Sequence, residues 1–458
     1  MDNKNIDIIL IEPIDNRFGD WKLLPVLGLA YIAAYLRKNN IKTLIIDPAF
    51  DDLTLSGILQ RLKTFNARIF GITALTQEIN YAHKLAAKIK SQFPESIIII
   101  GGPHVSALPE ETLREFSAFD FVVVNEGEYT MLELVTKLKN KDTDFSGVKG
   151  IAYRENGKIK VNPKRDWITN LDDLPFPAWD LYPNLKSYKK FPILASRGCP
   201  FGCEFCVRAT GDKAKFRSLQ NIMQEIEWLI DEFDATYLSF EDEILTFKDK
   251  RTNEFLDMLI EKKISKKIKW FAQTRADLAD FELFKKMKEA GCETIGIGVE
   301  SGNAEILKKI RKGIKLEDAT RAIEFCKKLK IRSQAYFILG NVDENVKNIN
   351  ETINFAARLN PYRVEFEIMI PYPGTQIMEL ARQNRGGYDS LSYDWQSYNK
   401  SLGAMRFSNI GNKRMKLLQF KSYVIFFLKN LRFKELLVFF WKRKISFLIQ
   451  IKNFLFEK

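Results

Sequence analysis

The stretch Phe191-Pro-Ile-Leu-Ala-Ser-Arg-Gly-Cys199-Pro-Phe-Gly-Cys203-Glu-Phe-Cys206 carries an apolar run of strand length straight into a loop that holds three thiols. Thiolates suit iron-sulfur clusters and zinc. Five cysteines in a chain of 458 residues make no secreted disulfide scaffold, and three of them within eight positions point to metal binding in a reducing compartment. The other two read as buried thiols: Cys326 shares the helical stripe Ala319, Ala322, Ile323, Cys326, Leu329, and Cys292 precedes a strand. A four-cysteine ferredoxin site is therefore not expected, and three ligands leave one iron open. A three-cysteine zinc site completed by histidine is the competing reading. Its only histidines would be His83 and His104, far away in the first part of the chain.

Downstream of the cysteines, apolar runs alternate with amphipathic ones. Strands are expected near 193–196, 236–240, 269–273, 294–299, 333–339 and 363–368, with helices near 218–233, 249–263, 280–289, 316–329 and 344–358. Six strand-helix units predict a partial parallel barrel whose active face is the carboxyl ends of its strands. The cysteine loop follows the first of them.

Upstream, the runs Ile6–Ile11, Lys42–Asp47, Arg68–Thr73, Ile97–Gly101 and Phe121–Val124 are separated by helical patterns such as Gly28–Arg37 and Tyr81–Phe93. Continuous Ile/Val runs read as strands buried on both faces, so this half is expected to be a five-stranded, doubly wound Rossmann-like domain. Its working loops are 12–25, 73–77, 101–106 and 125–128, at the carboxyl ends of the strands. Between the halves, residues 148–190 contain Pro163, Pro175, Pro177 and Pro183, and the turn Asn156-Gly157 predicts a small hairpin. The α/β chain thus divides into 1–142, a linker at 143–190, a barrel at 191–390 and a helical tail at 391–458.

The net charge of +13 is concentrated in the tail, where 413–458 has twelve Lys or Arg against Glu435 and Glu457. A near-neutral body argues against a nucleic-acid partner. Ile6–Ile11 has no signal-peptide flanks, so the expected location is the cytoplasm. In the tail, Leu417-Leu418, Phe420, Tyr423–Leu428, Phe433, Leu436–Trp441, Ile445 and Phe447–Ile449 alternate with basic residues. That pattern suits an interfacial helix, giving the expectation of peripheral contact through 414–458 with the inner face of a membrane and, through it, a lipid substrate. A helical cap on the barrel or a dimer contact is the other reading.

The spacing C-x3-C-x2-C after a first barrel strand resembles the radical S-adenosylmethionine superfamily, and the resemblance covers about residues 192–385. It implies a 4Fe-4S cluster on Cys199, Cys203 and Cys206, as metal ligands and catalytic core, with S-adenosylmethionine on the open iron. It also implies cofactor contacts from Phe205, Glu241-Asp242-Glu243, Gln273, Arg275, Glu300 and Ser301. Two acids stand in Glu241-Asp242-Glu243 where many relatives carry glycines, which leaves open the carboxylate that meets the ligand. Surface salt bridges are the plain alternative for Arg275 and Glu300.

The first half resembles the cobalamin-binding domain fused to one branch of that superfamily. Thr73-Ala-Leu75 and, after 25 residues, Gly101-Gly102-Pro-His104 match the loops that line the slot for the nucleotide tail, and Asn125-Glu126-Gly127-Glu128 completes the likeness. Residues 12–30 hold no histidine, so cobalamin is expected without a protein imidazole below the cobalt. The resemblance implies an enzyme, fed by an external flavodoxin- or ferredoxin-type electron donor, that functionalises an unactivated carbon of a small molecule or lipid. C-methylation leads; cyclisation, ring contraction or rearrangement, as in anaerobic cyclases, is the alternative. An iron-sulfur electron-transfer or binding module is the alternative from another class.

Overall fold

In the computed structural model, residues 5–13, 24–51, 53–182, 185, 189–399 and 404–441 are described. The first sheet contains β1 (Ile8–Ile11), β2 (Thr43–Ile46), β3 (Ile69–Thr73), β4 (Ile97–Gly101), β5 (Phe121–Val123), β6 (Ile151–Glu155) and β7 (Lys158–Val161). Its order is β2-β1-β3-β4-β5-β6-β7, parallel through β5 and antiparallel beyond. The five expected parallel strands are present, with the order switch between β1 and β3 that marks ligand-binding doubly wound sheets. The hairpin expected as a free ribbon instead lengthens this sheet: Val123 pairs with Ile151, and Arg154 with Ile159. Pairing with β5 gives the hairpin a hydrophobic face that an isolated ribbon lacks.

Next come β8 (Lys190–Ile193), β9 (Ser196–Arg197), β10 (Lys215–Phe216), β11 (Tyr237–Phe240), β12 (Lys269–Arg275), β13 (Cys292–Glu300), β14 (Arg332–Leu339) and β15 (Arg363–Ile368). Six of them form one parallel sheet, β15-β14-β13-β12-β11-β8, with helices between consecutive strands as expected. The short β9 and β10 pair antiparallel and stand apart from it.

Because β15 and β8 do not pair, β15 presents an open edge, a liability unless covered. The helix Asn412–Lys429 covers it. Phe366 N–H donates to the Tyr423 hydroxyl at 3.0 Å, and Gln419 Nε2 donates to the Phe366 carbonyl at 2.8 Å. Met415, Leu418 and Phe426 of this helix are buried. The first part of the tail is therefore a barrel cap, which corrects its reading as a membrane-surface helix; the pattern could not show that a sheet edge needed its apolar side. Residues 433–441 form a further helical segment, and the remainder of the expected membrane-contact region, 442–458, lies outside the described residues.

A last ribbon, β16 (Tyr388–Leu391) and β17 (Met405–Phe407), lies over the carboxyl end of β14. Gly340 there has φ +86°, and a Cβ on it would fall 2.3 Å from the Phe407 ring, so only glycine fits. Between those strands, Trp395 reaches the first domain and donates to both carboxylate oxygens of Glu115 at 3.0 Å.

Phe426→Ala empties a fully buried site beneath the capping helix and is expected to lower unfolding stability by about 3–5 kcal/mol in urea titrations. A loss below about 0.5 kcal/mol, the range of ordinary surface changes, would mean that the helix is not part of the barrel fold.

Candidate functional site

The three thiols lie on a loop whose two ends are β9 and β10, with Arg197 opposite Lys215 in the ribbon. At its base Gly198 has φ +95° and passes so near Lys213 that a Cβ would stand 2.2 Å from that carbonyl oxygen. Cys199 N–H donates to the Gly211 carbonyl at 3.2 Å, and Cys206 N–H to that of Cys203 at 3.2 Å. The far side docks on the segment after the helix Ala304–Lys309: Glu204 N–H donates to the Ile310 carbonyl at 3.1 Å and the Glu204 carboxylate pairs with Arg311 at 3.0 Å.

Burial raises the Cys199 thiol above its usual range; burial, then the charges of Cys203 and Cys199, push Cys206 up to about 11. Two thiols, each with the Cys203 sulfur adding to the effect of burial, are a donor set short of positive charge, which an iron-bearing cluster would supply. Among the described residues no three His, Cys, Asp or Glu side chains converge as a single ion requires. A cubane would take each thiolate on a separate iron, so its ligands need not meet at one point. Cys292 and Cys326 are buried in the barrel wall, Cys292 at the amino end of β13.

The three acids after β11 have separate tasks. Asp242 is fully buried and accepts from Ala195 N–H at 3.0 Å and Ser196 Oγ at 2.5 Å, joining β11 to the chain entering the cysteine loop. Glu243 accepts from Gly198 N–H at 3.3 Å and from the Thr210 hydroxyl, bracing the loop itself. Glu241 accepts from Ser239 at 2.6 Å and is not spent on the loop. Of the three acids, Glu241 is the one with no hydrogen bond to the loop among the described contacts.

Arg275 ends β12 and lies over the Phe201 ring at 3.7 Å, with Nη1 3.8 Å from the Cys203 sulfur. It also holds Asp277 at 3.0 Å and the Lys312 carbonyl at 2.6 Å, so it supports the loop from below. Gln273, two residues earlier on the same strand, lies on the same face and is half-buried. Glu300 sits at φ +66° beyond a register shift between Gly298 and Glu300, and forms a buried pair with Lys312 at 2.7 Å. A Cβ on Gly298 would lie 2.6 Å from that carboxylate and 2.7 Å from the ammonium. The Lys312 ammonium stands 5.9 Å from the Phe205 ring, placing the pair beneath the aromatic of the cysteine loop. Lys312 was missed in the sequence because it belongs to the basic run Lys308–Lys312, which reads as a solvated face. Ser301 is not brought to this group; its hydroxyl lies 3.1 Å from Thr352 and accepts from Asn303 N–H at 3.2 Å.

In the first domain Thr73 pairs with Gly101 at the ends of β3 and β4. Gly102 has φ +111°, and a Cβ would meet the Ala74 carbonyl at 2.5 Å, so the two loops touch backbone to backbone. Leu75 is 46% exposed beside them. His104 is not a polar loop residue: it is buried edge-on to Trp395 with centroids 4.7 Å apart, and burial lowers its pKa to about 4. His83 packs against Phe116 and Phe119. The expectation that no imidazole rises from the first loop falls partly on 14–23, outside the described residues.

Glu126 and Gly127 are engaged with other parts of the chain. Gly127 leaves room for Ile32, whose Cδ1 would be 2.8 Å from a Cβ. Glu126 pairs with Arg197 at 3.1 Å and Lys215 at 3.3 Å, while Glu128 pairs with Arg197 at 2.7 Å. Burial opposes the Arg197 charge, and Glu128 and Glu126 outweigh it. Nothing in the sequence linked these residues, because Glu126 and Arg197 stand 71 positions apart.

Residues 193–356 match the Radical SAM superfamily and residues 22–135 match the B12 binding domain. An uncharacterized methyltransferase of Pyrococcus horikoshii is 34% identical over 412 residues, 88% of each chain. The anaerobic magnesium-protoporphyrin IX monomethyl ester cyclase of Rubrivivax gelatinosus is 28% identical over 393 residues, covering 83% of this chain and 69% of that one. Among solved structures, the radical S-adenosylmethionine methyltransferase TsrM of Kitasatospora setae, with cobalamin and a [4Fe-4S] cluster bound, superposes with a TM-score of 0.69 at 16% identity over 83% of this chain and 78% of its own.

The Asp242 carboxyl lies near 3.8 unfolded and, through burial, about 7 folded. Between those values the folded chain holds a proton that the unfolded chain has lost, so this contribution is complete below about pH 4 and disappears as pH rises through 7. Urea unfolding from pH 4 to 8 is expected to show a decline, and Asp242→Asn to remove a part of it on the order of a few kcal/mol. An unchanged slope in that variant would mean that Asp242 is ionised throughout.

Proposed function

We propose that this chain, which belongs to the radical SAM superfamily and within it to the branch with an N-terminal B12-binding domain, methylates an unactivated carbon of a small molecule. It is an enzyme, and its cofactors are a 4Fe-4S cluster, S-adenosylmethionine and cobalamin. The observation that carries the reading is the loop of three free thiols at the carboxyl ends of a parallel barrel, joined through Arg197 to the domain that matches the B12 binding family.

When bound, the cluster supplies the electron that breaks S-adenosylmethionine into methionine and a 5′-deoxyadenosyl radical, and cobalamin supplies the methyl group. Cys199, Cys203 and Cys206 would hold the cluster. Glu241 and Gln273, the polar side chains at the strand ends not spent on the loop, would receive the methionyl part of S-adenosylmethionine, with Phe205 against its adenine. Arg275, Glu243 and the Glu300–Lys312 pair hold the loop in register. Thr73, Leu75, Gly101 and Gly102 would form the cradle for the cobalamin tail: Gly102 lets the two loops close on each other, and at Gly101 a Cβ would have only the Val123 carbonyl, 4.0 Å away, so the backbone there is open to close approach. With His104 and His83 packed among aromatic rings, neither imidazole stands free to meet cobalt. An external one-electron donor of the flavodoxin or ferredoxin type completes the cycle.

Cys199→Ala, Cys203→Ala and Cys206→Ala are each expected to remove most bound iron and all 5′-deoxyadenosine production after anaerobic reconstitution with dithionite. Wild-type product should carry one added methyl group, with S-adenosylhomocysteine released beside it. A product without the methyl group would turn the assignment to a cyclase-type reaction, the chemistry named for the Rubrivivax relative.

A second observation bears on where the substrate lies. No described helix is long and apolar enough to cross a membrane. Yet Phe433, Leu437, Phe440 and Trp441, at helical spacing, are 56%, 69%, 42% and 64% exposed, beside Lys434 and Lys429. Phe440 also packs on Phe420, but a largely exposed apolar stripe next to cations suits an anionic lipid surface. The full chain is expected to sediment with phosphatidylglycerol vesicles at low salt, and Leu437→Glu with Trp441→Glu to abolish this. Absence of wild-type sedimentation would remove the membrane contact.

A further inference from the structure

We propose that Arg197, held between Glu126 and Glu128, is a positioning residue that sets the cluster loop against the cobalamin-binding loops, and so controls whether methyl transfer to cobalamin keeps pace with S-adenosylmethionine cleavage. The inference rests on the cofactor reading given above.

The network has a specific place. Arg197 is two residues before Cys199, and Lys215 is its cross-strand partner where the loop returns. Both cations bind the same carboxylate oxygen of Glu126, so one acid grips the chain entering and the chain leaving the cysteine loop. The second oxygen of Glu126 accepts from Ile168 N–H at 2.7 Å, tying in the connecting segment. Glu126 and Glu128 themselves follow β5, at the carboxyl end of the first sheet, where Asn125 takes φ +66° and donates its N–H to Ser106 at 2.9 Å. Ser106 in turn donates to the Gly102 carbonyl at 2.8 Å. A continuous chain of polar contacts thus runs from the base of the cluster loop to the glycine loop of the B12 domain.

The groups are nearly out of solvent, with Arg197, Glu126 and Glu128 side chains 8%, 7% and 4% exposed. Two cations against two anions leave no net charge, and each is compensated only while the domains keep this distance and orientation. The guanidinium lies 5.0 Å from the Tyr31 ring centroid, and the Lys215 ammonium 4.8 Å from that of Trp167, which closes the lateral directions. None of the four charges reaches a thiol; that part belongs to Arg275. Their effect on chemistry is therefore the relative placement of two sites built on different domains.

Two reactions without substrate separate placement from loading. In one, an electron from dithionite through the cluster breaks the C5′–S bond, leaving methionine and, after hydrogen abstraction, 5′-deoxyadenosine. In the other, the methyl group passes from the sulfonium to reduced cobalamin, whose cobalt provides the bonding electron pair, leaving S-adenosylhomocysteine. The first uses the barrel domain; the second needs both domains in register.

The full chain, reconstituted anaerobically with iron, sulfide and cobalamin, is incubated with S-adenosylmethionine and dithionite. For Arg197→Met the ratio of S-adenosylhomocysteine to 5′-deoxyadenosine is expected to fall roughly tenfold or more, with iron and cobalamin content unchanged. Arg197→Lys should recover part of the ratio. Glu128→Gln, nearly isosteric, should lower it less and serves if the methionine variant does not fold. Electron paramagnetic resonance should show a weaker interaction between cob(II)alamin and the reduced cluster in the same variants. An unchanged ratio in Arg197→Met, or in Glu128→Gln if that variant alone folds, overturns the proposal, even if both reactions slow together. A wild-type chain that binds no iron or no cobalamin would instead overturn the cofactor reading on which it rests.

Discussion

A guanidinium buried between two carboxylates from another domain is the interaction on which the rest of the molecule depends. Arg197 cannot leave Glu126 and Glu128 without exposing one buried charge or abandoning another, a loss of about 3–5 kcal/mol against a domain stability of about 5–15 kcal/mol. Salt bridges on the surface, such as Arg37–Asp180, contribute far less. The buried network therefore makes the domain interface a single arrangement rather than a range, as the proposed transfer of a methyl group across it would require.

From that fixed base the cysteine loop is shaped by groups that are each polar and each already engaged. Glu243 takes Gly198 N–H and Thr210, Asp242 takes the chain just before it, Arg275 stacks on Phe201, and Glu204 bonds the Ile310–Arg311 turn. Such a loop has almost no hydrophobic core of its own, so its order comes from charge-assisted hydrogen bonds to rigid strand ends. This explains why Glu241-Asp242-Glu243 carries three acids. Two of them brace the loop, and Glu241 bonds Ser239 on its own strand instead.

Much of this was legible in the sequence because it is local. Ile97–Gly101 reads as a strand from four consecutive isoleucines and ends on the glycine that the next loop needs. The cysteine spacing and the long helices between the barrel strands follow from periodicity over a few turns, whereas the short helix Ala304–Lys309 is not expected from it and the strand before the cysteines, Lys190–Ile193, lies three residues earlier than expected. What stayed hidden is long-range. The Asn156-Gly157 turn announced a hairpin but could not announce that β6 would join β5, since pairing partners are chosen by tertiary packing. Lys312 lies in a run of lysines and looks solvated until Glu300, held at positive φ, turns its carboxylate onto it. The tail shows the same limit: amphipathic periodicity states that a face must be covered and is silent on whether lipid, another chain or the open edge of β15 covers it.

The C-terminal segment between β16 and β17 adds a second tie between the domains, and it differs in kind from the first. Tyr388 donates to the Gly340 carbonyl at 3.2 Å and Phe407 seals the same glycine, fixing the ribbon to the end of β14. Trp395, between those strands, stands edge-on to His104 just after the Gly101-Gly102 turn. This tie adds ring contact to the Trp395–Glu115 hydrogen bond, and its aromatic part tolerates small shifts that an ion pair does not: ring contacts fall off gradually, whereas a charge-assisted hydrogen bond loses its geometry within a fraction of an ångström. A molecule braced this way keeps its two domains together when the ionic network is cut, yet loses their register. Association and alignment of the two cofactor domains are therefore borne by different residues.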